Sequence, residues 1–132
     1  MIIVDTSAIV ETLAGSAPDA ALVHRLATDD LHAPHLLDVE VLHTLRVLIT
    51  RRAATADKIE AARHAFEHLA LTRYPHTPLR TRIWELRNNL SAYDATFVAL
   101  AEELSAPLVT TDGRIAEATG LRATVEVYDR TP

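Results

Sequence analysis

Apolar residues along the chain fall into two rhythms. Short unbroken runs, Ile2-Ile3-Val4 and Leu108-Val109-Thr110-Thr111, are aliphatic and β-branched, and each stops at an acid. Runs of that length and composition predict strands buried on both faces. Leu31-His32-Ala33-Pro34, residues 71–74 and residues 123–128 fit three more short strands, with Pro34 and Pro75 as stops. The segments between them repeat apolar residues every three or four positions, which predicts helices with one buried stripe. They cover 6–13, ending near Gly15; 19–29, opened by Pro18-Asp19; 36–52; and 55–71. Two more cover 79–90, with Pro78 at the start, and 95–104. Ahead of the last of these, Ser91-Ala92-Tyr93-Asp94 has capping-box spacing, with Asp in place of Glu. A short helix to Gly120 precedes the final strand.

Strands alternating with helices predict an α/β sandwich of three layers, a central parallel sheet flanked by helices. Such sheets bind ligands beyond the carboxyl ends of their strands. Asp5 and Asp112 both fall at that edge.

Composition narrows the class. A chain of 132 residues, 48% apolar and with three Gly, predicts one domain over residues 1–132 with a substantial core. The absence of Cys excludes disulfides and thiolate metal sites. No apolar run approaches the roughly 20 residues of a membrane span, and no signal-peptide pattern precedes the first strand. The expectation is a cytoplasmic protein with no membrane association. A formal charge of −5 argues against a broad nucleic-acid-coating face. The positive charge is nearly all arginine, with Lys58 the one lysine. Arginine suits bidentate phosphate contact, and a GC-rich genome produces the same bias.

Each acid has a local explanation on its own. Asp5 fits a helix cap, and Asp112-Gly113 fits a turn. Asp94 lies one helical turn before Phe97 and Val98, on the inward row, and Glu40 lies near the edge of the stripe built from Leu37, Val41, Leu45 and Leu48. Charged groups seldom occupy such positions unpaired. Taken together, four acids converging on a cleft repel one another, and only Arg114 lies close in sequence to relieve them. A divalent cation resolves the conflict. Oxygen ligands without Cys or His suit Mg²⁺ or Mn²⁺ rather than Zn²⁺ and imply phosphoryl chemistry.

The I-I-V-D-T-S-A start, D-V-E-V-L-H-T-L, S-A-Y-D-A-T-F-V-A-L-A-E-E-L and L-V-T-T-D-G-R, in that order, resemble the PIN-domain ribonucleases. The size and the near-terminal first Asp are most similar to VapC-type toxins of bacterial VapBC pairs. The resemblance runs from Met1 to about Tyr128. It implies a PIN-like parallel sheet flanked by helices and an endoribonuclease dependent on Mg²⁺ or Mn²⁺. It further implies a homodimer and a cognate VapB antitoxin whose C-terminal segment lies in the cleft. The family's acidic site maps onto Asp5, Glu40, Asp94 and Asp112. Asp5 and Asp94 are expected as the direct ligands, with Glu40 and Asp112 acting through waters. Thr6 and Ser7 are expected either to hydrogen-bond the first acid or to cap the helix. Two positions depart from the pattern: Arg114 stands where some members have a fifth acid, and His43 where many have Asn.

Other readings fit less of the chain. A non-toxin PIN nuclease of RNA processing shares every motif. A receiver-like Mg²⁺-binding signalling domain needs a lysine near its last strands and a central acceptor Asp, both missing. His64-Ala65-Phe66-Glu67-His68 fits the H-x-x-E-H pattern of zinc peptidases but has no evident third ligand. RNA contacts are expected from Arg46, Arg51 and Arg52, from Arg80, Arg82 and Arg87, and from Arg114.

Overall fold

A computed structural model describes all of residues 1–132. Its element order is β1 (Ile2–Val4), α1 (Thr6–Ala14), α2 (Ala20–Thr28), β2 (Leu31–Pro34), α3 (Leu36–Thr50), α4 (Ala56–Glu67) and β3 (Thr72–Tyr74). After a 3-10 turn at Thr77–Leu79 come α5 (Arg80–Glu85), α6 (Ala92–Leu104), β4 (Leu108–Thr110), α7 (Gly113–Glu117) and β5 (Val125–Val127). The five strands form one sheet in the order β3-β2-β1-β4-β5, and every pair is parallel.

The most apolar strands are the innermost. β1 has no exposed residue, and Leu108 and Val109 of β4 are equally enclosed, as expected for parallel strands covered on both faces. Register pairs Ile3 with both His32 and Leu108, so β1 is the spine of the sheet. The chain steps from β1 to β2 and β3 in one direction, then returns past β1 to β4 and β5. Right-handed crossovers therefore put α1 to α4 on one face and α5 to α7 on the other. The packing agrees, since α1 meets α3 and α4, while α6 lies on β1, β2 and β4. The direction reverses between β1 and β4, and at such a switch point the carboxyl ends of two neighbouring strands open a crevice. No helix is long and apolar enough to cross a membrane.

Two expected helices are shorter than their apolar pattern. The segment 55–71 is helical only to Glu67, where His68 turns its ring nitrogen onto the His64 carbonyl. The segment 79–90 splits into the 3-10 turn and α5. Beyond it, the Asn89 side-chain amide bonds the Thr119 carbonyl. The N–H groups of Leu86, Arg87 and Asn89 bond carbonyls three residues back, so the chain continues from α5 in tight turns.

Candidate active site

Asp5 leaves β1 with its N–H donated to the Val109 carbonyl, 3.0 Å, so its position is tied to both central strands. The side chain is only 5% exposed. Its Oδ1 accepts the Thr6 N–H at 2.8 Å. Its Oδ2 accepts the hydroxyls of Ser7 at 2.9 Å and Thr110 at 2.7 Å. Those hydroxyls are themselves fixed, because Thr110 Oγ1 accepts the Asp112 N–H and Ser7 Oγ the Thr111 N–H, each at 3.0 Å. The carboxylate is thus gripped by a hydroxyl network that staples the end of β1 to the end of β4.

The other three acids come from three elements. Glu40, half-buried on α3, accepts the Thr6 hydroxyl at 2.7 Å through Oε1. Asp94 lies in the first turn of α6, whose N-terminus is capped by Ser91 accepting the Asp94 N–H at 3.1 Å. Asp112 caps α7 by accepting the Arg114 N–H at 3.0 Å, and the Arg114 guanidinium grips it at 3.1 and 2.8 Å. Asp5 and Asp112 are therefore helix caps and also face the cleft, so the local explanation and the site explanation coexist. All four acids, with Thr6 and Ser7, line one cleft of about 1030 Å³.

The charges remain in conflict. Burial pushes the Asp5 carboxyl above its ordinary range, against the pull of Thr110, Ser7 and Thr6, and the Asp112 charge adds to the rise. Burial also raises Glu40, with Asp5 and Asp94 contributing, while His43 on the cleft wall acts the other way. Asp94 is raised by burial and then by Asp5 and Asp112. Asp112 alone is lowered, chiefly by its hydrogen bonds to Arg114. No three acidic or imidazole side chains close on a common point in this conformation.

Thr110 carries a role that the strand reading of its segment missed. The available signal was symmetry: Thr110-Thr111 precedes the acid at the end of β4, as Thr6-Ser7 follows the one at the end of β1. Thr110→Val keeps shape but removes a donor to Asp5 and leaves the Asp112 N–H without its acceptor. Its expected outcome is a loss of about 1–3 kcal/mol in urea unfolding and, if Asp5 holds a metal ion as the family resemblance implies, a roughly 10–100-fold fall in nuclease activity. Wild-type values for both would show that the network does not position Asp5.

Of the arginines expected at RNA, none but Arg114 touches the acids. Arg46, Arg51, Arg52 and Arg80 are exposed outside the cleft wall. Arg82 is folded onto Glu102 at 2.6 and 3.1 Å, and Arg87 lies over the Trp84 ring at 4.7 Å. The basic side chains on the wall are instead Lys58 and Arg130. His64 and His68 lie with ring centroids 4.4 Å apart and their planes tilted by 47°, and Glu67 between them pairs with Arg63.

A parallel sheet in the order 3-2-1-4-5 with a cleft of four carboxylates at its switch point defines an acidic-site α/β protein of the PIN type. The PIN domain model matches residues 2–121, and the chain belongs to the PIN-domain family. Within it the chain falls in the VapC ribonuclease branch. It is 42% identical over 130 residues to the VapC ribonuclease Mb0985 of Mycobacterium bovis, covering 98% of this chain and 100% of that one. It is 40% identical over 127 residues to Ribonuclease VapC1 of Mycobacterium tuberculosis, covering 95% and 96%. Among solved structures, VapBC2 from Rickettsia felis, bound to a DNA fragment from its promoter, shares the fold with a TM-score of 0.64 at 13% identity, covering 98% of this chain and 100% of that one. VapC20 of Mycobacterium tuberculosis, a Sarcin-Ricin loop cleaving toxin, does so with a TM-score of 0.61 at 20% identity, covering 92% and 96%.

Proposed function

We propose that this chain, a single PIN domain over residues 1–132, is a metal-dependent endoribonuclease of the cytoplasm. In this reading it is the toxin of a toxin–antitoxin pair, acts as a homodimer and is neutralised by a VapB antitoxin. The observation that carries the chemistry is the set of three carboxylates, Asp5, Glu40 and Asp94, all raised in pKa and lacking any cationic hydrogen-bond partner. The relatives named VapC ribonuclease support the substrate class, and the resemblance to the VapBC2 complex supports the antitoxin.

The donor set fits a hard divalent ion, because every candidate ligand is a carboxylate oxygen. Mg²⁺ keeps several waters and needs few direct protein ligands, which suits acids that do not close on one point. Asp5 and Asp94 would hold Mg²⁺ or Mn²⁺ directly, with Glu40 and Asp112 acting through waters. Such an ion supplies Lewis acidity at a phosphate oxygen and offsets charge on the leaving oxygen. The chain's own groups do the rest. Thr6, Ser7 and Thr110 hold Asp5 in one orientation, so no reorganisation is needed there during reaction. Glu40 Oε2 has no hydrogen-bond partner, and its raised pKa suits it to accept the proton of the attacking water. The water oxygen bonds to phosphorus, and the bond to the leaving ribose oxygen breaks. Solvent then protonates that oxygen.

Purified protein incubated with structured RNA is expected to cut it with Mg²⁺ or Mn²⁺ and to stop when the ion is chelated. Equal cutting with chelator present would remove the metal from the account. Induced expression is expected to arrest growth, and co-expression of the antitoxin to relieve it. Growth unaffected by active protein would leave the nuclease without the toxin role.

A further inference from the structure

An RNA strand carries phosphates into a cleft walled by Asp5, Glu40, Asp94 and Asp112, in a chain of net charge −5. Something in that wall must hold them. Arg114 is committed to both oxygens of Asp112. Lys58 turns its ammonium towards the Gly15 carbonyl at 3.4 Å. Arg130 differs from both. Its Nε donates to Thr111 Oγ1 at 3.3 Å, and its two terminal nitrogens have no protein partner. It lines the same cleft as the four acids, and Thr111, which it bonds, immediately precedes Asp112.

The segment that carries Arg130 is fastened on both sides. Upstream, the Tyr128 N–H donates to the Thr110 carbonyl at 2.9 Å, extending the β4–β5 ladder by one bond. Downstream, the Thr131 N–H donates to Glu11 Oε1 at 2.6 Å, its hydroxyl bonds the same oxygen, and the Ala17 N–H donates to that hydroxyl at 3.2 Å. Glu11 is a buried acid of α1 with no basic partner. Gly15 makes room for it, because a Cβ there would stand 2.8 Å from Glu11 Oε1. The segment is pinned so that a single arginine lines the acidic cleft with both terminal nitrogens unpartnered.

We propose that Arg130 is the phosphate-contacting residue of the cleft. Its free guanidinium nitrogens take the non-bridging oxygens of a phosphate next to the one that is cut, and so set the register of the RNA over Asp5 and Asp94. This rests on the ribonuclease reading for what is bound, and deepens it by naming the residue that positions the strand. Arginine suits the task because its planar fork matches two phosphate oxygens at once.

The test separates binding from cleavage. Asp5→Asn, which is not expected to cut, is titrated with a short fluorescent single-stranded RNA at several salt concentrations. Adding Arg130→Ala is expected to raise Kd about tenfold and to make the slope of log K against log salt shallower by about 0.7, the share of one single-strand phosphate. Arg130→Lys is expected to restore the slope and only part of the affinity. Thr131→Val, which keeps the arginine but loosens its tether, is expected to weaken binding less than Arg130→Ala. Arg63→Ala, on the outer face of α4, is expected to match the parent. In the uncombined protein, Arg130→Ala is expected to raise KM with kcat within about twofold. An unchanged Kd, a weaker Kd with an unchanged salt slope, or faster cleavage by Arg130→Ala would each overturn the proposal. Failure of the uncombined protein to cut RNA would sink the nuclease reading instead, and a salt slope that still depended on Arg130 would leave this contact standing.

Discussion

Asp5→Asn is expected to lower RNA cleavage by about a thousandfold while making the metal-free protein more stable. In the proposed metal-dependent reaction the loss follows from removing a negative ligand, since the ion it would hold is worth several kcal/mol of charge stabilisation in the transition state. The gain follows from linkage. Burial raises the carboxyl of Asp5 above its unfolded value, and Glu40 and Asp94 are raised as well. A carboxyl with a raised folded pKa binds more protons in the folded than in the unfolded state. Stability from these groups is therefore full at low pH and falls as pH climbs from about 4 towards their folded values. Asp112, held low by Arg114, runs the other way, and its contribution is lost as pH falls through its folded pKa. The asparagine keeps the shape of the side chain, and the Ser7 and Thr110 hydroxyls can rotate to accept from its amide. Urea unfolding without divalent ions should show the variant more stable than wild type above that window, by about 1 kcal/mol. It should also show a weaker decline with pH. A less stable variant would mean that the Asp5 charge is already satisfied in the ion-free protein.

Phe97→Ala has the largest expected effect on the fold. Phe97 is the largest fully buried side chain, on the face of α6 that packs against β1, β2 and β4. Its truncation should cost about 3–5 kcal/mol through lost burial and the cavity left behind. That is a large part of the 5–15 kcal/mol typical of a whole domain, so a midpoint about 2 M lower in urea is expected, with an unchanged slope. Activity of the remaining folded protein should fall too. Phe97 is one turn beyond Asp94 on the same helix, and small displacements of a catalytic group have large effects on rate. A loss below about 1 kcal/mol would mean that the neighbours fill the space.

Both effects trace to features that are continuous in sequence, which explains why they were legible. An apolar run that ends on an acid specifies a central strand and the carboxylate at its tip in one stretch, at β1 and again at β4. Asp94 and Phe97 share a row because helical spacing puts them there. The convergence of the four acids on one cleft depended on the order of strands in the sheet. That order follows from the alternation of elements together with the handedness of crossovers. Pairings across long separations left no such trace. Arg82 was a plausible phosphate contact until the fold brought Glu102 beside it, and Arg130 gained its position only because Glu11 holds Thr131 across 120 residues. The strand ending at Thr110-Thr111 looked merely β-branched, because a hydroxyl that positions a carboxylate and one that fills a strand have the same local pattern. Helix ends were least legible after Glu85, where the apolar pattern continues to Leu90 but the backbone passes into turns.

Mn²⁺ binding directly measures the proposed role of Asp5, Glu40, Asp94 and Asp112 in holding a divalent ion for chemistry. Titration of the protein with Mn²⁺, with the free ion followed by electron paramagnetic resonance, should give saturable binding that Mg²⁺ competes away. Asp5→Asn and Asp94→Asn should each abolish it while remaining folded. Undiminished Mn²⁺ binding in both variants, or none in the wild type, would contradict the account.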